Sequence, residues 1–361
     1  MKGLILSGGS GTRLRPITHT GPKQLIPIAN KPVLLYCIED LKKAGITNIG
    51  IILGLNMPDQ VKAAIGDGSK FGVKITYIEQ GEPKGLAHAV AVAEYFLGDE
   101  PFVMYLGDNV LKQGICEMVD KFNKKKPDAS ILLSHVKNPQ QFGVAEIKNN
   151  KVVNLIEKPE VPKTDLALVG VYLFTKPVFD AIRNIKPSGR GELEITDAIQ
   201  ELINTNYAVD YHIVNGWWKD TGKPEDILEA NRVFLDEIKG FNNGTIEDED
   251  DDGNCAKIHG RVEIGEGTII KDNSVIKGPV SIGKNCEIVN AYIGPYTSVG
   301  DNTKIIGGEI EDSILIGDCV INCGKKIVDS LIGKGSKILS KDKEIPAGDR
   351  FVVGENSNIK I

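Results

Sequence analysis

Two kinds of residue in this 361-residue chain could meet a polyanion. The first is a glycine turn, Gly8-Gly9-Ser10-Gly11, directly behind the apolar run Leu4-Ile5-Leu6. Glycines let the backbone approach a ligand closely and turn successive N–H groups toward an anion. Thr12 and Arg13 follow at once, and Pro22-Lys23-Gln24 adds a second cation. The second kind is a carboxylate beside a glycine. Asp108 comes after Phe102-Val103-Met104-Tyr105-Leu106-Gly107, and Asp220 stands in Trp217-Trp218-Lys219-Asp220-Thr221-Gly222. A hard cation such as Mg²⁺ takes one or two carboxylates and completes its shell with phosphate oxygens. Bringing two phosphorylated reactants together requires charge neutralisation and in-line positioning, and these residue types supply both.

The turn is neither of the two familiar phosphate loops. G-x-x-x-x-G-K-[ST] is absent from the chain, and the turn does not fit G-x-G-x-x-G. Taken singly, each feature has a plain structural reading. Gly8–Gly11 could be a tight turn, Asp108 an Asp turn or helix cap, and Trp217 and Trp218 packing groups. Glu157-Lys158, after Val152-Val153 and Leu155-Ile156, could be a surface ion pair of little energetic value. Gln80 offers both a donor and an acceptor, which matches the imide edge of a pyrimidine, and Gly85 leaves a helix N-terminus open to a ligand.

Together the strings GGSGTRLRP and PKQ resemble the signature of the sugar-phosphate nucleotidyltransferases, and the PKQL form is most similar to the glucose-1-phosphate thymidylyltransferase branch. The resemblance runs segment by segment over residues 1–237 and continues over 258–340, where it matches the tail of that branch's long form. It implies transfer of a nucleotidyl group from dTTP to glucose 1-phosphate, giving dTDP-glucose and pyrophosphate. It implies that Leu6, Gly8, Gly9, Gly11, Thr12, Gln24, Gln80, Gly85 and Asp108 bind the nucleotide. Arg13, Lys23 and Lys158 would be catalytic, and Asp108 and Asp220 would hold Mg²⁺. Gly143, Glu157, Lys158, Val169 and Tyr172 would bind the sugar phosphate, with the segments around Gly143 and Val169–Tyr172 lining its pocket. Gly191-Glu192-Leu193-Glu194-Ile195-Thr196-Asp197 would lie near the sugar, with Arg190 reaching phosphate. The alternatives are a UTP-dependent enzyme acting on glucose or N-acetylglucosamine 1-phosphate, and a regulatory subunit that kept the fold without catalysis.

The elements that must position these residues follow from periodicity. Through about residue 237, short apolar runs alternate with amphipathic stretches. Strands are expected at 3–7, 48–54, 74–78, 102–106, 130–136 and 168–174. Helices are expected at 32–44, 58–66, 85–97, 176–184, 193–206 and 224–238. This alternation predicts an α/β, Rossmann-like nucleotidyltransferase domain over 1–239, with a mostly parallel sheet. Residues 240–256 carry the acidic run Glu247–Asp252 and read as a solvated linker.

From 257 to 361 the pattern changes. Ile258, Ile264, Ile270, Ile276, Ile282 and Ile288 recur every six residues. The register then slips by one and resumes at Ile293, Val299 and Ile305, and again at Ile310 and Ile316. A six-residue period predicts a left-handed parallel β-helix of hexapeptide repeats, with one inward aliphatic per face. Such a domain stacks and oligomerises, so a homo-oligomer is expected, joined through the β-helix. Acyltransfer is disfavoured, because His259 is the only histidine in the repeats.

A net charge of −6 gives no general pull toward nucleic acid or a membrane, so phosphate binding must be local. No apolar run is long enough for a membrane span or a signal segment, and the expected location is cytoplasmic. Six scattered cysteines without paired metal-ligand spacing fit reduced thiols.

Overall fold

The structure is a computed structural model that describes residues 1–247 and 255–340. The N-terminal elements in chain order are β1 (Lys2–Ser7), β2 (Pro27–Ile28), β3 (Lys31–Pro32), α1 (Val33–Lys43), β4 (Asn48–Leu53), α2 (Pro58–Ile65) and β5 (Lys74–Glu79). Then come α3 (Leu86–Val92), α4 (Glu94–Leu97), β6 (Phe102–Leu106), β7 (Asn109–Leu111), α5 (Cys116–Lys125), β8 (Ala129–His135), β9 (Gly143–Lys148) and β10 (Lys151–Glu157). The remainder are β11 (Leu166–Phe174), α6 (Pro177–Asn184), α7 (Ile195–Asn204), β12 (Val209–Ile213), β13 (Trp218–Asp220) and α8 (Pro224–Leu235).

Nine of these strands form one sheet in the order β10-β9-β11-β6-β1-β4-β5, with β8 paired to β11 and β12. β1 lies parallel between β4 and β6, and β4 lies parallel to β5. Leu4 and Ile5 are both fully buried, on opposite faces of β1, because helices cover the sheet on both sides. One face packs α3, α6 and α7, and the other packs α1, α2 and α5. β11 runs antiparallel to β6, β8 and β9, and the hairpin β9–β10 closes that edge.

Several elements differ from the periodicity reading. The expected helix at 85–97 is two helices, because the Ala93 N–H bonds to the Val90 carbonyl in a tightened turn. α5 was not among the expected helices. Its apolar positions Met118, Val119 and Phe122 are few and stand among lysines. β9, β10 and β12 were also not expected: polar and charged residues interrupt the apolar pattern of β9 and β10, and β12 is short and only partly buried at every position.

The C-terminal part is a three-faced β-helix of parallel strands. One face carries 241–242, 262–264, 280–282, 297–299, 314–315 and 331–332. The second carries 245–246, 269–271, 287–289, 304–306, 320–322 and 337–339, and the third begins at 257–259. Ile264, Ile282, Val299, Leu315 and Ile332 stack inward in register, and each is at most 8 % exposed. Two expectations are corrected. The inward residue near 316 is Leu315, while Ile316 turns outward against the N-terminal domain. The β-helix also starts before 257, since Phe241–Asn242 and Thr245–Ile246 already pair with its second coil. Hydrogen bonding to that coil explains why this short polar stretch is ordered as strand. Most of the acidic run, 248–252, lies outside the described residues.

The two parts share a core. Leu14, Ile28, Val110, Ile227 and Leu228 of the N-terminal domain bury Ile314 of the β-helix. Asn231 on α8 joins them: its Oδ1 accepts from Ala29 N at 2.8 Å and Ser298 Oγ at 2.7 Å, and its Nδ2 donates to the Tyr296 carbonyl at 2.9 Å. Arg232 pairs with Asp312 and Asp329. All six cysteines are free thiols. Among the described residues, no helix is long and apolar enough to cross a membrane.

Candidate active site

The parallel strands β1, β4, β5 and β6 end on one edge of the sheet, which gathers Gly8, Gly54, Gln80 and Asp108 there. The loop after β1 is held tightly. A Cβ on Gly54 would lie 2.3 Å from the Gly8 carbonyl oxygen, so the end of β4 tolerates no side chain there. Gly11 adopts φ +65° and accepts the Thr18 hydroxyl at 2.7 Å. Thr12 and Arg13 then open an exposed turn of 3-10 helix. Gly9 faces Lys23, whose Cε would be 2.9 Å from an added Cβ. Leu6 and Gln24 lie behind this loop, at 7 % and 1 % exposure.

Lys23 forms an ion pair with Asp108. Burial works against both charges, but their attraction outweighs it, so the Lys23 ammonium titrates above its ordinary range and the Asp108 carboxyl below its own. Asp220 reaches the same place because β13 pairs antiparallel with β7, setting Asp220 opposite Asn109. Thr221 fixes this junction, donating from its N–H at 2.9 Å and its hydroxyl at 2.7 Å to the Asp108 carbonyl. Arg13 approaches Asp220 at 3.7 Å. Even so, burial, reinforced by the Asp108 charge, pushes the Asp220 carboxyl up to about 6.

Asp220 Oδ1 is buried and has no hydrogen-bond partner. A buried, unpartnered carboxylate oxygen beside a second carboxylate is costly in isolation and becomes favourable around a cation. Among the described residues there is no cluster of three or more His, Cys, Asp or Glu that could hold a metal. Two carboxylates with ligand phosphates completing the shell suit Mg²⁺, which binds through few protein oxygens.

Gln80 extends from the end of β5 with its Oε1 beside Gly8, and its Nε2 donates to the Gly85 carbonyl at 3.3 Å. Gly85 has φ +103°, and an added Cβ would lie 2.4 Å from the Leu193 carbonyl oxygen. Glu157 ends β10, and a Cβ on Gly143 would lie 3.1 Å from its Oε2. Lys158 follows with φ +43°, donates its N–H to the Phe142 carbonyl at 3.0 Å, and sets its ammonium 3.3 Å from Glu157. Arg190 donates to Glu157 at 3.4 Å and pairs closely with Glu194. The two halves are linked by side chains. Asn109 donates to Asp108 at 3.1 Å and accepts from Trp218 Nε1 at 2.7 Å, and Trp218 meets Phe142 edge-on at 5.6 Å.

Val169 is fully buried and Tyr172 is 3 % exposed, stacked on Phe174 in the core. Their side chains are therefore not available to a sugar. What this segment presents is backbone, at the β11 irregularity where Gly170 takes φ +69°. Asn109 was not among the residues singled out for the site, and Glu194 entered only within the segment Gly191–Asp197 expected near the sugar. Each had a signal: Asn109 is the polar first residue of an otherwise apolar strand beside Asp108, and Glu194 stands four residues after Arg190.

The nucleotidyl transferase family profile matches residues 2–237, the whole of the domain that carries these groups. The chain belongs to the nucleotidyl transferase family. This nucleotidyltransferase is 54 % identical over 363 residues to the low-salt glycan biosynthesis nucleotidyltransferase of Haloferax volcanii, covering all of both chains. It is 49 % identical over 363 residues to the glucose-1-phosphate thymidylyltransferase of Streptomyces antibioticus, covering all of this chain and 99 % of that one. A solved Bacillus anthracis structure, assigned as a glucose-1-phosphate thymidylyltransferase and bound to a sucrose, is 38 % identical. It superposes with a TM-score of 0.62 over 67 % of this chain and 98 % of its own. The nucleotidyltransferase is thus an enzyme whose likeness to its full-length relatives includes the β-helix.

Proposed function

We propose that this nucleotidyltransferase joins dTTP to glucose 1-phosphate, releasing pyrophosphate, in the cytoplasm and as a homo-oligomer. The observation that carries the reading is the unpartnered Asp220 oxygen beside the Lys23–Asp108 pair at the mouth of the glycine turn. The backbone of Gly8–Gly11 and the Arg13 guanidinium bind the β- and γ-phosphates and stabilise the departing pyrophosphate. Lys23 offsets charge at the α-phosphate. Asp108 and Asp220 would hold Mg²⁺, which when bound would neutralise phosphate charge. Gln80 and Gly85 receive the pyrimidine. Lys158 and Arg190 orient the sugar phosphate, and Glu157 accepts from sugar hydroxyls. The phosphate oxygen is already an anion and attacks in line, so no general base is needed.

A second reading keeps the reaction and changes the substrates to UTP with glucose or N-acetylglucosamine 1-phosphate. It draws on the higher identity to a relative whose name specifies neither the base nor the sugar. Gln80 serves either pyrimidine, and one methyl group is worth only about 1–3 kcal/mol of discrimination. Pyrophosphate release, measured with dTTP, UTP, CTP, ATP and GTP crossed with glucose, mannose, galactose and N-acetylglucosamine 1-phosphates, decides between them. Highest kcat/KM for dTTP with glucose 1-phosphate supports the first reading. Highest kcat/KM for UTP replaces it with the second, and no release with any pair rejects both.

A further inference from the structure

Glu194 is 3 % exposed, yet it carries a charge and takes no part in the chemistry outlined above. Its carboxylate accepts four hydrogen bonds from two residues of one short loop. Ser188 Oγ donates to Oε1 at 2.7 Å, and Arg190 donates from Nε to Oε1 at 3.2 Å. The Arg190 terminal nitrogen that also reaches Glu157 donates to Glu194 Oε1 at 2.8 Å and Oε2 at 2.9 Å. Charge-assisted, forked contacts of this kind fix a guanidinium in direction as well as place. Ser188 adds to this from below, since its Oγ also accepts the Arg190 N–H at 3.2 Å.

The same loop is tied to the base side of the site by its backbone. Leu193, the residue before Glu194, donates its N–H to the Lys84 carbonyl at 2.8 Å and accepts the Ala87 N–H at 3.0 Å. Between these two bonds sits Gly85, whose missing Cβ leaves room for the Leu193 backbone. Gly85 in turn holds the Gln80 amide. Two backbone hydrogen bonds and one close approach thus tie the segment Lys84–Ala87 to the segment Ser188–Glu194.

We propose that Glu194 is a positioning residue for Arg190, and that the backbone tie through Leu193 makes occupancy of the base pocket set the direction of that guanidinium toward the sugar phosphate. The inference rests on the reading of Gln80 and Gly85 as the base side and of Arg190 as part of the sugar-phosphate side. A base that takes over the Gln80 amide releases the Gly85 carbonyl, and Leu193, bonded to Lys84 and Ala87 on either side of Gly85, transmits the change to the loop whose guanidinium Glu194 directs. Coupling of this kind is reciprocal between two ligands and falls in the range of about 5- to 150-fold in affinity.

The test uses the full chain and calorimetric titration of glucose 1-phosphate with and without saturating thymidine. Thymidine fills the base pocket and carries no phosphate, so it cannot act through phosphate–phosphate contact. In the parent enzyme, thymidine should tighten glucose 1-phosphate at least about 5-fold, and glucose 1-phosphate should tighten thymidine by the same factor. Glu194→Gln should bring both ratios to within about 2-fold of one, below that range, while leaving thymidine binding alone unchanged. Ser188→Ala, which removes one bond to Glu194 without disturbing a buried charge, should reduce the ratio in the same direction and serves if Glu194→Gln does not fold. A parent ratio near one, or a full ratio retained in the variant that folds, overturns the inference and leaves the substrate reading intact. A parent enzyme that binds neither probe overturns both.

Discussion

The Arg13 guanidinium stands 3.7 Å from the Asp220 carboxylate, while Lys23 pairs with Asp108. Each candidate cation of the triphosphate side is thus held by a candidate metal carboxylate. A metal and a triphosphate arriving together would exchange these partners, the carboxylates turning to the metal and the cations to the phosphates. Replacing Asp108 by Asn keeps the shape and removes the charge. Turnover should fall at least ~10²-fold, in line with the loss of a single electrostatic group at a reacting centre. Steady-state pyrophosphate release checks this, and an Asn variant with near-normal turnover and unchanged Mg²⁺ dependence would reject the assignment.

Asp220 should give the enzyme a pH signature. Its carboxyl is pushed up to about 6, mainly by burial, so it carries a proton below that pH in the free protein. Metal binding must displace that proton. The Mg²⁺ concentration for half-maximal activity should therefore rise as pH falls through about 6, and flatten above 7. A metal requirement that does not change between pH 5 and 8 contradicts this.

The same carboxyl bears on stability with the opposite consequence. Its folded value is raised, so the folded state takes up the proton more readily than the unfolded chain. The resulting stabilisation is complete below the unfolded value, near 4, and is lost as pH rises through about 6. Above that pH the ionised group is a net cost to the folded protein. Asp220→Asn should therefore be inactive yet more stable than the parent at pH 8 without metal, by up to about 3 kcal/mol. The advantage should shrink toward pH 4, and chemical denaturation at the two pH values measures it.

Gln80 is the side chain whose donor and acceptor match a pyrimidine edge. Gln80→Leu leaves a base unpaired and should lower kcat/KM for the nucleotide by about 10-fold or more, the size expected when a site loses hydrogen bonds it was built to make. Comparison across the five nucleoside triphosphates provides the readout. An unaltered profile would move base recognition elsewhere.

Asn231 serves three partners while only 1 % exposed. Asn231→Ala strands the Ala29 N–H, the Tyr296 carbonyl and the Ser298 hydroxyl at the seam between the two parts. The loss should be about 1–3 kcal/mol, seen as a lower Tm, and Ser298→Ala should cost less because one partner rather than three is lost. Equal melting temperatures for the parent and Asn231→Ala would show that the seam contributes little.

The residues of the triphosphate side could be read from the chain because they follow strongly apolar strands at short, fixed distances. Leu4-Ile5-Leu6 leads into Gly8, and Phe102–Leu106 leads into Asp108. The sugar side was harder to read. β9 and β10 form a sheet-edge hairpin with exposed Val153 and Ile156, so their alternation does not separate inside from outside. Tyr172 came in only with the resembled segment Val169–Tyr172, and its face was decided by the irregularity at Gly170. Periodicity does not contain that irregularity. Asn109 and Glu194 act through other side chains, and only tertiary placement brings their partners together. In the β-helix, the slip after Ile288 marks a shorter coil, and a later one moved the inward position from Ile316 to Leu315.

A solenoid ordinarily gains or loses a repeat at little cost, because each coil touches only its neighbours. Here the face bearing Ser281, Ser298, Ile314 and Leu331 is laid along the N-terminal domain from Asn30 to Arg232. Coils stack about 4.8 Å apart, the spacing of neighbouring strands. Deleting one would carry Asp312 and Asp329 a full step past Arg232 and leave Asn231 facing the wrong rung. The number of coils is therefore gauged against the length of its companion, and this solenoid serves as a ruler whose divisions cannot be changed one at a time.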